Sequence, residues 1–443
     1  MTGLSPEVVA VAFAKCSRSP EPFDKIAAEL NADKSRKFHE KWVIGYGHSS
    51  VAEHAVLSLA IENISILATK VIEDNRLASY TEKSTRYQLY DKEHYYKPRR
   101  ILESKFSKTY LETCDFIMNT YTDLFSKMML FFKKKFPNAK ELELKNKTCD
   151  IVRYLLPVAS LTNLGMTINA RNLEYAIVKL LTHPLEEMQE IGKEIKEAAL
   201  KVVPTLIKYT QYNKYLGETL NEMEKLAKEK LADKKALNKD GVTLVEYDSD
   251  AENKLVTALL YRFSKLPYNQ IKKIVEDMNP DEKVKIIDES LKRLGKFDRP
   301  LRELEHISYT FDILIDYGAF RDIQRHRMVT QTNQEFTVEH GYSIPDELIE
   351  AGFKDLFVEC MEKAKKAFLE ISKELPKEAQ YVIPLAYKKR VLMKMDLREL
   401  FHIIKLRSSK QGHISYRKIA WQMYDAIKEK QPLLAKYIEV DKS

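Results

Sequence analysis

One pattern occurs twice in this chain, and an internal duplication constrains the fold more than any other feature. The stretch "EHAVLSLAIENISILATKVIEDNRLAS" begins at Glu53, and "EHISYTFDILIDYGAFRDIQRHRMVT" begins at Glu305. Each opens with Glu-His and alternates apolar and polar residues as a half-buried strand does. Each then takes up helical spacing as far as a basic residue, Arg76 or Arg327. In the second copy Ile307, Tyr309, Phe311 and Ile313 fall on one strand face. A second pair of segments agrees: "RYLLPVASLTNLGMTINARNLEYAI" from Arg153 and "QYVIPLAYKKRVLMKMDLRELFHII" from Gln380. They hold Pro157 and Pro384, and Arg171 and Arg398, at the same spacing. The repeats predict two homologous domains, residues 1–215 and 244–443, joined by a charged helical segment over 216–243. That joint, rich in Lys, Glu, Ala and Leu, reads as a solvated helix and a flexible connection.

Two helices stand out between the repeats. "SKFSKTYLETCDFIMNTYTDLFSKMMLFFKKKF" predicts a long helix over Ser104–Phe136, with its Met and Phe residues in a core. "HPLEEMQEIGKEIKEAALKVV" predicts another, with Pro184 near its first turn.

Composition excludes several classes. Hydrophobic residues make up 44% of the 443 and aromatics 10%, enough for substantial cores and too much for a disordered chain. The net charge of +8 suits an anionic ligand such as a nucleotide without demanding nucleic acid. Cys16, Cys114, Cys149 and Cys360 have neither metal-site nor redox spacing, so the expectation is a reducing compartment. The start lacks a secretory pattern, and no run of about 18 apolar residues occurs, so a cytoplasmic protein without a membrane partner is expected. There is no phosphate-binding glycine loop, Cys-x-x-Cys pair, His-Glu-x-x-His or Gly-x-Ser-x-Gly. No metal is expected.

Two arginine-rich stretches remain. Arg325-His326-Arg327 ends an apolar segment, where guanidinium groups suit phosphate or carbonyl oxygens. Read alone, it is equally a structural salt-bridge cluster. "RLASYTEKSTRYQ", from Arg76 to Gln88, packs Ser79, Glu82, Ser84, Thr85 and Arg86 together. Read alone, it is more readily a helix capping box with surface charges.

Taken together, the two stretches resemble the flavin-dependent thymidylate synthases, the ThyX family. That family's signature joins an Arg-His-Arg triplet, a Ser three positions on, and a Glu-x-Ser-x-Arg-Tyr run. Here the signature is divided. The first copy keeps Ser79 and Glu82-Lys83-Ser84-Thr85-Arg86-Tyr87 but has Asp74-Asn75-Arg76 for the triplet. The second keeps Arg325-His326-Arg327, has Thr330 for the Ser, and replaces the later run with "QTNQEFTVEHGYSIP". "GHSSVAEH" resembles the family segment whose first His, here His48, meets the flavin, and the second copy has Pro300 there. In "MDLRELFHIIKLR", Arg398, His402 and Arg407 fall on ligand-binding positions, with Asp396 and His402 in place of the usual Asn residues. The first copy has Asn169, Arg171 and Tyr175 at the early positions but Leu180 opposite Arg407, and it has Arg153 where the second has Gln380.

The resemblance implies an α+β fold of two ThyX-like domains, each a small, mainly antiparallel sheet packed against helices, with long connecting helices. It implies reductive methylation of dUMP to dTMP, with FAD as cofactor and methylenetetrahydrofolate and NADPH as cosubstrates. Arg325, Ser84 and Arg86 would be catalytic. Glu82, Ser84, Thr85, Arg86, Arg153, Arg325 and Arg407 would hold the nucleotide. His48, Arg325, His326, Arg327, Thr330, Asp396, Arg398 and His402 would hold FAD. Family sites lie between subunits of a tetramer, so the expectation is a composite site from both domain types in a homodimer that mimics four domains. The reciprocal site would be dead. Asp322, where the family commonly has Gln, could select a different pyrimidine or pair with Arg325. The alternative is a diverged paralogue, regulatory or scaffolding, that binds a nucleotide or flavin without the synthase reaction.

Overall fold

The computed structural model describes residues 3–45, 49–232, 234, 236 and 240–443. They fall into two compact units: Met1–Ala236 with Pro345–Pro384, and Leu237–Ile344 with Leu385–Ser443.

In the first unit, β1 (Val56–Ser65), β2 (Ala78–Glu82) and β3 (Leu161–Asn169) form an antiparallel sheet in the order β1-β3-β2. Strand β3 alternates buried and exposed residues, and Leu164, Met166 and Ile168 face the core. Strand β1 begins the same alternation with Leu57 and Ile61 inside. It then slips by one residue, so that Ile64 turns inward. The slip is a bulge between Ile61 and Ile64, with Asn63 at φ 56°. Asn is among the few non-glycine residues that take this left-handed conformation readily.

The second unit repeats the plan. Strands β4 (Gly241–Tyr247), β5 (Ser308–Asp316), β6 (Thr330–Asn333) and β7 (Lys388–Asp396) are ordered β4-β5-β7-β6. Without β4 at the edge, the order matches the first sheet. Strand β5 pairs with β7 over nine consecutive residues, Ser308 to Asp316, with no slip. The extra residue of the first copy is thus absorbed in its bulge. Both copies come back into phase at the next helix, which Ser65 caps in one (Ala68 N to Oγ, 3.0 Å) and Asp316 caps in the other (Ala319 N to Oδ1, 2.8 Å). The helices after β3 and β7 are capped alike, by Asn169 and Asp396.

The long helix runs over Ser107–Lys135 and buries Tyr110, Cys114, Met118, Tyr121, Met128 and Phe132 along one stripe, which is the core role expected. The helix Lys354–Ile371, its counterpart from the second copy, belongs to the same unit, and Lys363 lies 4.1 Å above the Phe116 ring. The two repeat prolines meet there: Pro157 and Pro384 form an antiparallel bridge, flanked by Val158 N donating to Ile383 O at 2.9 Å. Beneath it Glu187, buried, accepts from Ser65 N, Ser65 Oγ and Tyr381 Oη, each at 2.7 Å. The joint contains the helix Lys214–Lys230, mostly exposed. No helix among the described residues is long and apolar enough to cross a membrane.

Candidate active site

The helix Tyr317–Ile323 is buried on nearly every side, and the triplet emerges in the turn that follows it. Successive side chains in that turn point opposite ways: His326 is only 4% exposed, whereas Arg325 and Arg327 are exposed. The apolar run before the triplet therefore aims it. It fixes one imidazole in the protein and leaves two guanidinium groups at the surface.

His326 meets the helix Leu397–Ser408, whose Glu399, His402 and Arg407 lie on one side at roughly helical spacing. Nδ1 of His326 lies 2.9 Å from Glu399 Oε1, and Arg407 Nε donates to His326 Nε2 at 2.9 Å. The His402 ring stands edge-on to His326 at 5.4 Å. Arg407 also lies 4.0 Å from Asp322 and 5.6 Å above the Tyr416 ring. Asp322 thus pairs with Arg407 rather than with Arg325. Burial, then the charge of Arg407, holds His326 well below the usual imidazole range, so it is neutral. Burial raises the Glu399 carboxyl.

The remaining predicted residues of this copy flank the cluster. Asp396 caps the helix, and burial raises its carboxyl. Arg398 donates to Pro300 O at 2.9 Å and to Glu305 at 2.7 Å. The first copy has the same pairing between Arg171 and Glu53. Thr330 opens β6 and is exposed.

The first unit brings together the other set. The run predicted as a possible capping box is instead strand β2 and the loop after it. Glu82 ends the strand, buried, and accepts from Thr69 Oγ1 and Lys70 Nζ, each at 3.0 Å. Lys70 also pairs with Glu73. Ser84 Oγ accepts from Arg86 N at 3.1 Å and shapes the loop. Thr85 is buried. Arg86 grips Asp150 with two hydrogen bonds, Nε at 2.7 Å and Nη2 at 2.8 Å. Arg153, one turn after Asp150, is 2% exposed. Its Nε forms an ion pair with Asp150 Oδ1 at 3.9 Å, beyond hydrogen-bond reach, and Nε and Nη2 have no hydrogen-bond partner among the described residues.

Each copy has replaced what the other keeps. At the triplet positions of the first copy, Asp74 pairs with Lys179 at 3.1 Å and Asn75 donates to Ile72 O at 2.7 Å. Leu180, buried, stands opposite Arg407. In the second copy, Phe336 fills the place of Thr85 and is 1% exposed, packed 4.4 Å from the Tyr317 ring. Lys389 ties down the same loop through Gln334 O at 2.8 Å.

Sequence reasoning missed Glu399 and Asp150. The Glu-x-x-His spacing of Glu399 and His402, with Arg407 on the same side, was the available signal for the first. Nothing local marked the second. His48 lies outside the described residues.

The family model described as "Thymidylate synthase complementing protein" matches residues 2–205 and again 243–433. The chain belongs to this family. The double match makes it a tandem member. A UPF0159 protein of Chlamydia muridarum is 34% identical over 434 residues, covering 93% of this chain and 82% of that one. A flavin-dependent thymidylate synthase of Clostridium tetani is 28% identical over 208 residues, which is 46% of this chain but 82% of the relative. The duplication therefore extends to the UPF0159 protein, whereas the synthase is nearly spanned by less than half of this tandem chain. The crystal structure of ThyX from Helicobacter pylori complexed with FAD and dUMP aligns with a TM-score of 0.34 at 19% identity, over 45% of this chain and 100% of that one.

Proposed function

We propose that this tandem member of the family is a flavin-dependent thymidylate synthase working at a composite site drawn from both domain types. The net change would replace the C5 hydrogen of dUMP by a methyl group. Methylenetetrahydrofolate would give the carbon and leave as tetrahydrofolate, and NADPH would give two electrons. The supporting observation is the complementary division of the site. Arg325, His326, Arg327 and Arg407 stand in one copy. Ser84, Arg86 and Arg153 stand in the other, and each copy has filled its own missing half.

The residues fit the groups that the reaction needs. Arg325, Arg327 and His402 offer exposed cationic or donor groups in the same copy as Arg398, a set suited to the anionic pyrophosphate of FAD. Bound there, FAD would supply the hydride and one-carbon chemistry that no side chain can. Arg153 holds two buried N–H groups that lack a hydrogen-bond partner among the described residues, and these suit a phosphate or a uracil carbonyl. Arg86 and Arg407 would complete the grip, Ser84 would set the loop, and Glu82 would brace it through Lys70. No protein nucleophile is needed, so the protein's work is positioning and charge. A homodimer in the cytoplasm is the assembly and location that this reading implies.

One observation favours the alternative of a nucleotide- or flavin-binding paralogue. Asp150 already occupies Arg86 with two hydrogen bonds, so a nucleotide has to displace a carboxylate. The deciding experiment incubates FAD-loaded protein with dUMP, methylenetetrahydrofolate and NADPH under anaerobic conditions. Bleaching of the flavin by NADPH and formation of dTMP are expected. Retained flavin or nucleotide without dTMP would establish the paralogue instead.

A further inference from the structure

Glu399 has no part in the chemistry described so far, yet the hydrogen bonds around it leave little freedom. An arginine side chain only donates, so His326 Nε2, 2.9 Å from Arg407 Nε, has to be a bare lone pair. A neutral imidazole carries one N–H, and here that proton can only be on Nδ1. Nδ1 lies 2.9 Å from Glu399 Oε1, so it donates to the carboxylate. We infer that Glu399 is a positioning residue: it holds His326 in the Nδ1–H form, and His326 in turn aims the Arg407 guanidinium by accepting from its Nε. Arg407, which Asp322 and Tyr416 also hold, is thereby oriented toward a nucleotide, which is where this inference rests on the reading proposed above.

Without the carboxylate, His326 is free to take the Nε2–H form. Its proton would then point at the Arg407 Nε–H, and two donors would face each other. Asp322, 4.0 Å from Nη1, and Tyr416, through a hydrogen bond and its ring at 5.6 Å, steady Arg407 as well, but only His326 is a partner whose proton Glu399 sets. The internal repeat gives independent support. The first copy has Asn75, Asn172 and Leu180 where the second has His326, Glu399 and Arg407. All three members are present in one copy and all three absent from the other, as expected of a unit.

The same atoms raise a metal site as a competitor, because ligand atoms of His326, Glu399 and His402 lie within 4.8 Å of one another. The proton count argues against it. A cation on Nδ1 while Nε2 accepts from Arg407 requires a fully deprotonated imidazolate, and a cation on Nε2 expels Arg407.

The test pairs a spectroscopic with a binding readout on the full-length protein. Nitrogen-15 NMR of histidine-labelled protein, with His326 identified by its loss in H326Q, is expected to show the Nδ1–H form. E399A should shift it toward Nε2–H and weaken dUMP binding by about tenfold or more, the size of a lost charged hydrogen bond. E399Q keeps an acceptor and should recover the tautomer and most of the affinity. Wild-type protein in the Nε2–H form overturns the inference with no variant needed. So does E399A that keeps the Nδ1–H form, or that binds dUMP as wild type does. Zinc binding that depends on Glu399 and His402 and abolishes the Nδ1–H signal overturns it in favour of the metal. If wild-type protein binds no dUMP, the nucleotide reading falls, while the tautomer result still decides the Glu399–His326 link.

Discussion

Arg153 is the side chain whose surroundings speak most directly of a ligand. A buried guanidinium with two N–H groups that lack a hydrogen bond among the described residues costs about 1–3 kcal/mol for each group left unsatisfied. Such a cost persists where an incoming group repays it. Arg153→Met should therefore raise the Tm by a few degrees while weakening dUMP binding about 100-fold, measurable by thermal unfolding and calorimetric titration of one sample. A variant that lost stability and kept affinity would make Arg153 structural. Lys389 tests the other copy. It is 9% exposed, and burial lowers its pKa to about 8, against 10.5 when unfolded. Between those values the unfolded chain binds more protons than the folded one, so this group makes stability rise with pH there and fall as pH drops toward 8. The unfolding free energy of wild type minus that of Lys389→Met should rise by about 1.4 kcal/mol per pH unit as pH increases through that window. A constant difference would mean that the lysine is not desolvated. Both arginine stretches were visible in the sequence because their composition is local. Glu399 and Asp150 were not, because each matters only through a partner that folding brings near: His326 for one, Arg86 for the other.

At the scale of elements, the strand-then-helix reading of both repeats holds, since alternation and helical spacing are properties of the chain itself. The "SYTEKST" run was harder. Ser and Glu at capping-box spacing also fit a strand end followed by a serine-shaped loop, and only pairing with β3 decides between them. The bulge at Asn63 was equally hidden, because one extra residue in a strand looks like a small misalignment of two repeats. Its conformation makes a sharp prediction. Asn63→Val puts a β-branched residue at φ 56° and should cost about 1–3 kcal/mol, whereas Asn63→Gly should be nearly neutral. Denaturant unfolding of the pair measures this. Equal stabilities would mean that the bulge relaxes, and with it the phase of the Ser65 cap.

At the scale of the whole molecule, duplication freed each copy to lose what the other retains. Leu180 and Asn75 in one, and Phe336 in the other, are buried at positions where the opposite copy keeps Arg407, His326 and Thr85. The repeat was legible because its prolines and arginines kept their spacing. That Pro345–Pro384 joins the first compact unit was not, because membership of a unit depends on packing between distant segments. The claim that matters most is that one site draws on both copies, and a visible absorption titration tests it directly. FAD-loaded, desalted protein is titrated with dUMP as wild type, Arg153→Met and Arg325→Ala. The account predicts retained flavin bands that shift with dUMP in wild type and a shift lost in each variant, although the two residues belong to different copies. A wild type that retains no flavin, or either variant shifting as wild type does, would contradict it.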